Sequence, residues 1–164
     1  MGQREEIETI KERNIPLKLS DADVKRICEK AGSVGLTTSE LLESFIGDLV
    51  DGTYTNGSDE RMYANEWFER CGFSWMCEYT FLRFLIDCDD VEDTIDDWNE
   101  IKYYKELEEL DEDDKEDLAD YEERTNDKFE EYQGYKKDGD KKLTLEAEME
   151  KVIKWWEEYT QISN

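Results

Sequence analysis

Histidine does not occur in these 164 residues. Its absence removes the commonest neutral-pH general base, so Ser/His/Asp and Cys/His nucleophilic arrangements cannot be assembled within one chain. Glycine-rich phosphate loops are missing too, because Gly32, Gly35 and Gly47 are scattered. An EF-hand could begin at Asp87 and Asp89, but Glu92 occupies the position that needs glycine. Cysteine is limited to Cys28, Cys71, Cys77 and Cys88, and the C-x5-C spacing of the middle pair matches no common zinc pattern. Reduced, mostly buried thiols are the expectation, with no cofactor and no metal. No apolar run approaches the roughly 18 residues of a membrane span. The first thirteen residues are too charged for a secretory signal, so a cytoplasmic location is expected.

Positive charge is the scarcest property. Lys and Arg number 21 against 46 Asp and Glu, a formal net charge of −25. Such an imbalance destabilises the compact state by self-repulsion and disfavours contact with nucleic acid or anionic membranes. It favours basic protein surfaces, including those that normally hold DNA or RNA. The plain alternative is that the charge serves solubility or halophilic adaptation. Mean hydropathy is −0.94, yet aromatic residues make up 12% of the chain and include five Trp, enough apolar area for a core.

Asn14 to Ser20 alternates, with Ile15, Leu17 and Leu19 on one side and Asn14, Pro16 and Lys18 on the other. That pattern predicts a short edge strand. Ser20 should cap a helix carrying Val24, Ile27, Cys28 and Ala31, which ends at Gly32 or Gly35. Thr37 and Glu40 form a capping-box pattern for a second helix with Leu41, Leu42, Phe45, Ile46 and Leu49 inward. Residues 14–50 as a whole resemble the ribbon-helix-helix family. The resemblance implies an antiparallel ribbon made by two chains, hence a homodimer through Ile15–Ser20. It also implies DNA reading by outward strand residues, with phosphate held at Thr37-Thr38-Ser39. The residues argue against that last function, since Lys18 is the only basic outward position and the two helices are net negative.

Further on, Ser58 can cap a helix with Tyr63, Ala64, Trp67, Phe68 and Cys71 on one aromatic face. A helix over about Met76–Ile86 should bury Phe81, Phe84 and Leu85. This aromatic block reads as core, with a ligand pocket as the minor alternative. The final helix begins near Thr144 and carries Leu145, Met149, Val152, Ile153, Trp156 and Tyr159.

Between those blocks, Asp87 to Tyr132 holds 23 of the acidic residues and 5 of the basic ones, a net of −18. It also carries Val91, Ile95, Trp98, Ile101, Leu107, Leu110, Leu118, Tyr121, Phe129 and Tyr132 at helical spacing, which a disordered polyanion would lack. Helices over about 89–110 and 115–133 are predicted, forming an antiparallel hairpin. One continuous helix stays open, because Asp111-Glu112-Asp113-Asp114 interrupts the apolar stripe without Gly or Pro. Asp89, Asp90, Asp93, Asp96, Asp97 and Glu100 recur at three- and four-residue steps. Glu108, Asp113, Glu116, Asp120, Glu123, Asp127 and Glu130 extend the row. Steps of that size set carboxylates about 5–6 Å apart, near the spacing of phosphates along a nucleic-acid strand. These thirteen are the candidate partner-binding residues. The Glu66/Glu69 and Asp93/Asp96 pairs would also suit a magnesium-dependent nucleotide hydrolase, though such pairs arise by chance in so acidic a chain.

In composition and in this acidic helical region the chain is similar to phage- and plasmid-borne counter-defence proteins, the anti-restriction DNA mimics and anti-CRISPR inhibitors. The resemblance implies a non-enzymatic inhibitor whose partner is a CRISPR effector nuclease or a restriction enzyme, and it assigns no individual residue. The expected architecture is mainly α, with a ribbon-helix-helix-like module over 1–52 and an acidic helical domain over 53–164. A ribbon-helix-helix regulator or antitoxin with a toxin-binding acidic region is the alternative.

Overall fold

Local signals account for most helix boundaries in the computed structural model, which describes residues 3–73, 78–137 and 140–164. Eight helices and no strand are found among these residues. The chain divides into two compact units, residues 1–77 and 78–164.

The first unit contains α1 (Gln3–Glu8), α2 (Asp21–Gly32), α3 (Thr38–Leu49) and α4 (Ser58–Arg70), with α3 packed on both α2 and α4. Ser20 caps α2, its hydroxyl accepting from Asp23 N–H at 3.2 Å. Gly35, at φ +80°, turns the chain so that Leu36 N–H reaches Ala31 C=O at 3.1 Å. The capping box of α3 is complete: Glu40 N–H donates to Thr37 Oγ1 at 3.2 Å, and Thr37 N–H to Glu40 Oε2 at 2.7 Å. Donation first from the Thr37 backbone and then from its hydroxyl holds the Glu40 carboxyl below its ordinary 4.5. That contribution is therefore full above pH 4.5 and is lost as pH falls through the lower folded value. Asp48 is buried near the end of α3 and accepts from Asn56 N–H at 2.8 Å and Nδ2 at 2.7 Å, which fixes the loop into α4. Gly47 passes against Tyr54 C=O so closely that any side chain there would collide with it.

Three expectations are corrected. Residues 10–20 form no strand, so the ribbon expected ahead of α2 and α3 is not present among the described residues. Alternation alone does not make a strand, because the backbone must find a ladder partner. Ile15, Leu17 and Leu19 are exposed. The aromatic face of α4 is not core either. Ala64 is buried, whereas Tyr63, Trp67, Phe68 and Cys71 are exposed. The expectation of buried thiols fails with it, since Cys28, Cys71 and Cys88 are free and exposed; Cys77 lies outside the described residues.

The second unit contains α5 (Phe81–Cys88), α6 (Val91–Glu106), α7 (Glu112–Gly134) and α8 (Leu145–Ser163). Thr80 and Thr144 cap α5 and α8. α5 begins five residues later than its apolar spacing suggests, and Met76 lies outside the described residues. Phe81, Phe84, Leu85, Ile95, Phe129, Tyr132, Met149 and Val152 form one buried cluster drawn from all four helices. Phe81 is its hub, with ring centroids 6.1, 5.4 and 5.3 Å from Phe84, Phe129 and Tyr132. Glu148 is buried beside them and is neutralised locally. Its carboxylate accepts from Tyr132 Oη at 3.0 Å and from Lys151 Nζ at 3.1 Å. Tyr132→Phe deletes the first of these donors without opening a cavity. The substitution is expected to cost about 1–3 kcal/mol in a urea titration, the range for leaving a buried acceptor short of a partner.

Candidate functional site: an acidic helical hairpin

α6 and α7 run antiparallel. Lys128 approaches Asp90 and Thr94, Arg124 binds Asp97, and Tyr104 meets Asp117 and Tyr121, so partner numbers fall along α7 as they rise along α6. The break between them falls at residues 107–111, which leaves the continuous-helix alternative aside. Leu107 is extended, and Asp111 then caps α7 in a box with Asp114, with bonds of 2.9 and 3.0 Å. The acidic run that interrupts the apolar stripe is thus also the cap that starts the second helix.

Much of the seam is polar. Asp97, at 8% exposure, takes both arms of Arg124: Nε to Oδ2 at 3.0 Å and Nη2 to Oδ1 at 2.6 Å. Those bonds hold the guanidinium above its ordinary pKa. Lys128 Nζ donates to Thr94 Oγ1 at 3.2 Å and lies 3.5 Å from Asp90. Thr94 and Thr125 are fully buried, and Thr125 Oγ1 has no hydrogen-bond partner among the described residues. Toward the tip, Lys105 pairs with Glu122 at 2.6 Å, and Tyr104 Oη donates to Asp117 at 3.3 Å. Desolvation first and Asp117 second push the Tyr104 phenol up to about 12. Lys115 pairs with Glu112 at 2.7 Å, and Lys102 lies 6.0 Å from the centre of the Trp98 ring. All five cations between Asp87 and Tyr132 are therefore engaged within the hairpin.

The thirteen candidate carboxylates do not share one fate. Asp97 is inside the seam and Asp90 is half-buried beside Lys128, so these two hold the hairpin together. The other eleven are exposed and form no ion pair among the described residues. Asp93, Asp96 and Glu100 occupy one side of α6. Glu116, Asp120, Glu123, Asp127 and Glu130 step along the side of α7 opposite Phe129 and Tyr132. Asp113 is in the first turn of α7, Glu108 is in the connecting loop, and Asp89 closes α5 in the left-handed conformation at φ +59°. Asp93 and Asp96 line a shallow depression along the seam with Asp97, Arg124 and Lys128.

Acidic periodicity does not reveal Arg124 and Lys128, the two cations that organise the seam. The available signal is their place on α7, one position N-terminal to the buried Thr125 and Phe129. Among the described residues no group of three His, Cys, Asp or Glu is arranged to hold a metal ion. No described helix is long and apolar enough to cross a membrane. No family model, curated protein or solved structure matches the chain.

Eleven unpaired carboxylates on one hairpin repel one another, and salt relieves that repulsion. Raising sodium chloride from about 0.01 to 0.5 M shortens the screening length from roughly 30 Å to about 4 Å. The thermal midpoint is expected to rise by roughly 5 °C or more in a scanning calorimeter.

Proposed function

We propose that this chain is a stoichiometric, non-enzymatic inhibitor of a basic nucleic-acid-binding enzyme, of the kind represented by CRISPR effector nucleases and restriction enzymes. The hairpin occupies the groove where DNA or RNA would lie. The observation that carries this is the division of labour among the hairpin's charges. Each of its five cations is engaged with another group of the hairpin, Asp90 and Asp97 fasten the seam, and the other eleven candidate carboxylates form no ion pair among the described residues. A merely solvated helix has no need of unpaired charge at that density, because interleaved lysines would remove the repulsion. A fixed array of anions is steered quickly to an Arg/Lys-lined groove and gains there the pairing it lacks alone.

The regulator alternative depends on a DNA-reading ribbon, and no specific observation favours it. The test is affinity capture from a host lysate, with elution by a salt gradient. The proposal expects a nucleic-acid-binding enzyme in one-to-one amount, released as salt rises and displaced by added duplex DNA. Retention of a partner that neither salt nor DNA displaces would count against it.

A further inference from the structure

Unit two holds a guanidinium in the same way twice. Arg124 lies over the Tyr121 ring, 4.8 Å from its centroid, while the Asp97 carboxylate takes two of its N–H groups. Arg83 lies 5.3 Å from the Tyr79 centroid and 3.8 Å from the Asp87 carboxylate, and Tyr79 Oη donates to that same carboxylate at 3.1 Å. The recurrence has a physical cause. A guanidinium is planar and weakly hydrated, so a ring can cover its face while a carboxylate takes its edge. A lysine ammonium is compact and strongly hydrated, and gains less from the ring.

Tyr103 repeats the ring and the carboxylates. It is 57% exposed on α6, and its ring meets that of Tyr104 in an edge contact, with centroids 5.4 Å apart. Glu100 and Glu106 stand about one turn to either side on the same helix. Long helical side chains lean toward the N-terminus, which carries Glu106 toward the ring and the ring toward Glu100. Both glutamates are exposed, and neither forms an ion pair among the described residues. No Lys or Arg among those residues lies over the Tyr103 ring. The cations beside it in the chain, Lys102 and Lys105, are directed at Trp98 and Glu122. Tyr63 on α4 also has glutamates one turn away, Glu60 and Glu66, but it shares its depression with Arg70.

We infer that Tyr103, with Glu100 and Glu106, is an arginine-selective contact of the hairpin, seating one guanidinium of a basic partner. Charge complementarity sets the sign of the occupant, since Asp87 to Tyr132 carries a net of −18. The exposed ring sets its type, as it does for Arg124 and Arg83 within the unit. This inference rests on the reading of the hairpin as the face that meets a basic protein. It adds which cation that face selects at the end of α6.

Hexa-arginine and hexa-lysine peptides carry the same charge, and calorimetric titration of each into the full chain at about 0.1 M salt provides the test. Hexa-arginine is expected to bind at least about threefold tighter. Tyr103→Ala should remove most of that preference while changing the affinity for hexa-lysine less than about 1.5-fold. Tyr103→Phe retains the ring and should retain the preference. Glu100→Gln combined with Glu106→Gln should weaken hexa-arginine about fourfold. All three positions are exposed, so no variant disturbs a core. Equal affinity for the two peptides overturns the inference. So does a preference that survives Tyr103→Ala, or hexa-arginine that does not bind. The titration contains neither enzyme nor DNA, so its failure is distinct from a failure of the hairpin to displace DNA from an enzyme.

Discussion

Replacing Asp93, Asp96, Glu100, Asp120, Asp127 and Glu130 by Asn or Gln is expected to weaken binding to the basic partner by roughly 50- to 100-fold at low salt. The same variant is expected to melt at a higher temperature. Removing one rim charge typically changes affinity about twofold, chiefly through the association rate, and six such changes compound when the sites are separate. Stability moves the other way because these carboxylates repel one another in the free protein and, although Asp120 lies near Arg124, none of the six forms an ion pair among the described residues. Most substitutions that damage a binding surface are neutral or destabilising, so a loss of binding with a gain in melting temperature would be characteristic of charge held for a partner. Surface plasmon resonance and calorimetry read the two effects independently. Asp97→Asn serves as the contrast. It removes a charge from the same helix, but one bound to Arg124 inside the seam, so it should lower the melting temperature.

Phe81→Ala is expected to cost about 3–5 kcal/mol, the usual range for deleting a fully buried aromatic ring. A domain of this size is stable by only about 5–15 kcal/mol, so the loss is a large fraction of the total. Phe81 touches Phe129 and Tyr132 on α7, and through the shared cluster it supports Ile95 on α6. The substitution should therefore undermine the base of the hairpin without altering one acidic residue. Urea titration reads the cost, and amide exchange should show α6 and α7 losing protection together. Phe81→Leu retains most of the volume and should cost much less. Partner binding should decline in Phe81→Ala as the hairpin loses order, at unchanged net charge, which separates a polyanion effect from that of a fixed array.

Local chemistry was the legible part of the fold. Ser20, Thr37 with Glu40, and Thr144 each cap the helix their sequence position suggests, because a cap involves only neighbours along the chain. The acidic hairpin was legible for a related reason: its apolar residues keep helical spacing through a background of charge. Features that depend on distant partners were not. Ile15, Leu17 and Leu19 alternate as a strand would, but a ladder needs a second strand that these residues cannot specify alone. Tyr63, Trp67 and Phe68 have the composition of a core, yet composition does not say whether a face is covered within the unit, and here it is not. Asp97 looked like its neighbours Asp93 and Asp96 in every sequence respect. Its burial against Arg124 depends on the crossing of two helices, which puts one of three similar carboxylates into the seam.

We propose that carboxylates on α6 and α7 that form no ion pair among the described residues take the place of nucleic acid in a basic groove. Displacement of labelled duplex DNA from the captured enzyme tests it most directly, with the original chain and the six-substitution variant titrated in parallel at about 50 and 500 mM salt. The account predicts one-to-one displacement by the original chain at the lower salt. That displacement should fall steeply at the higher salt, and the variant should need roughly 50- to 100-fold more protein. Failure to displace DNA at low salt, or equal displacement by the variant, would contradict it.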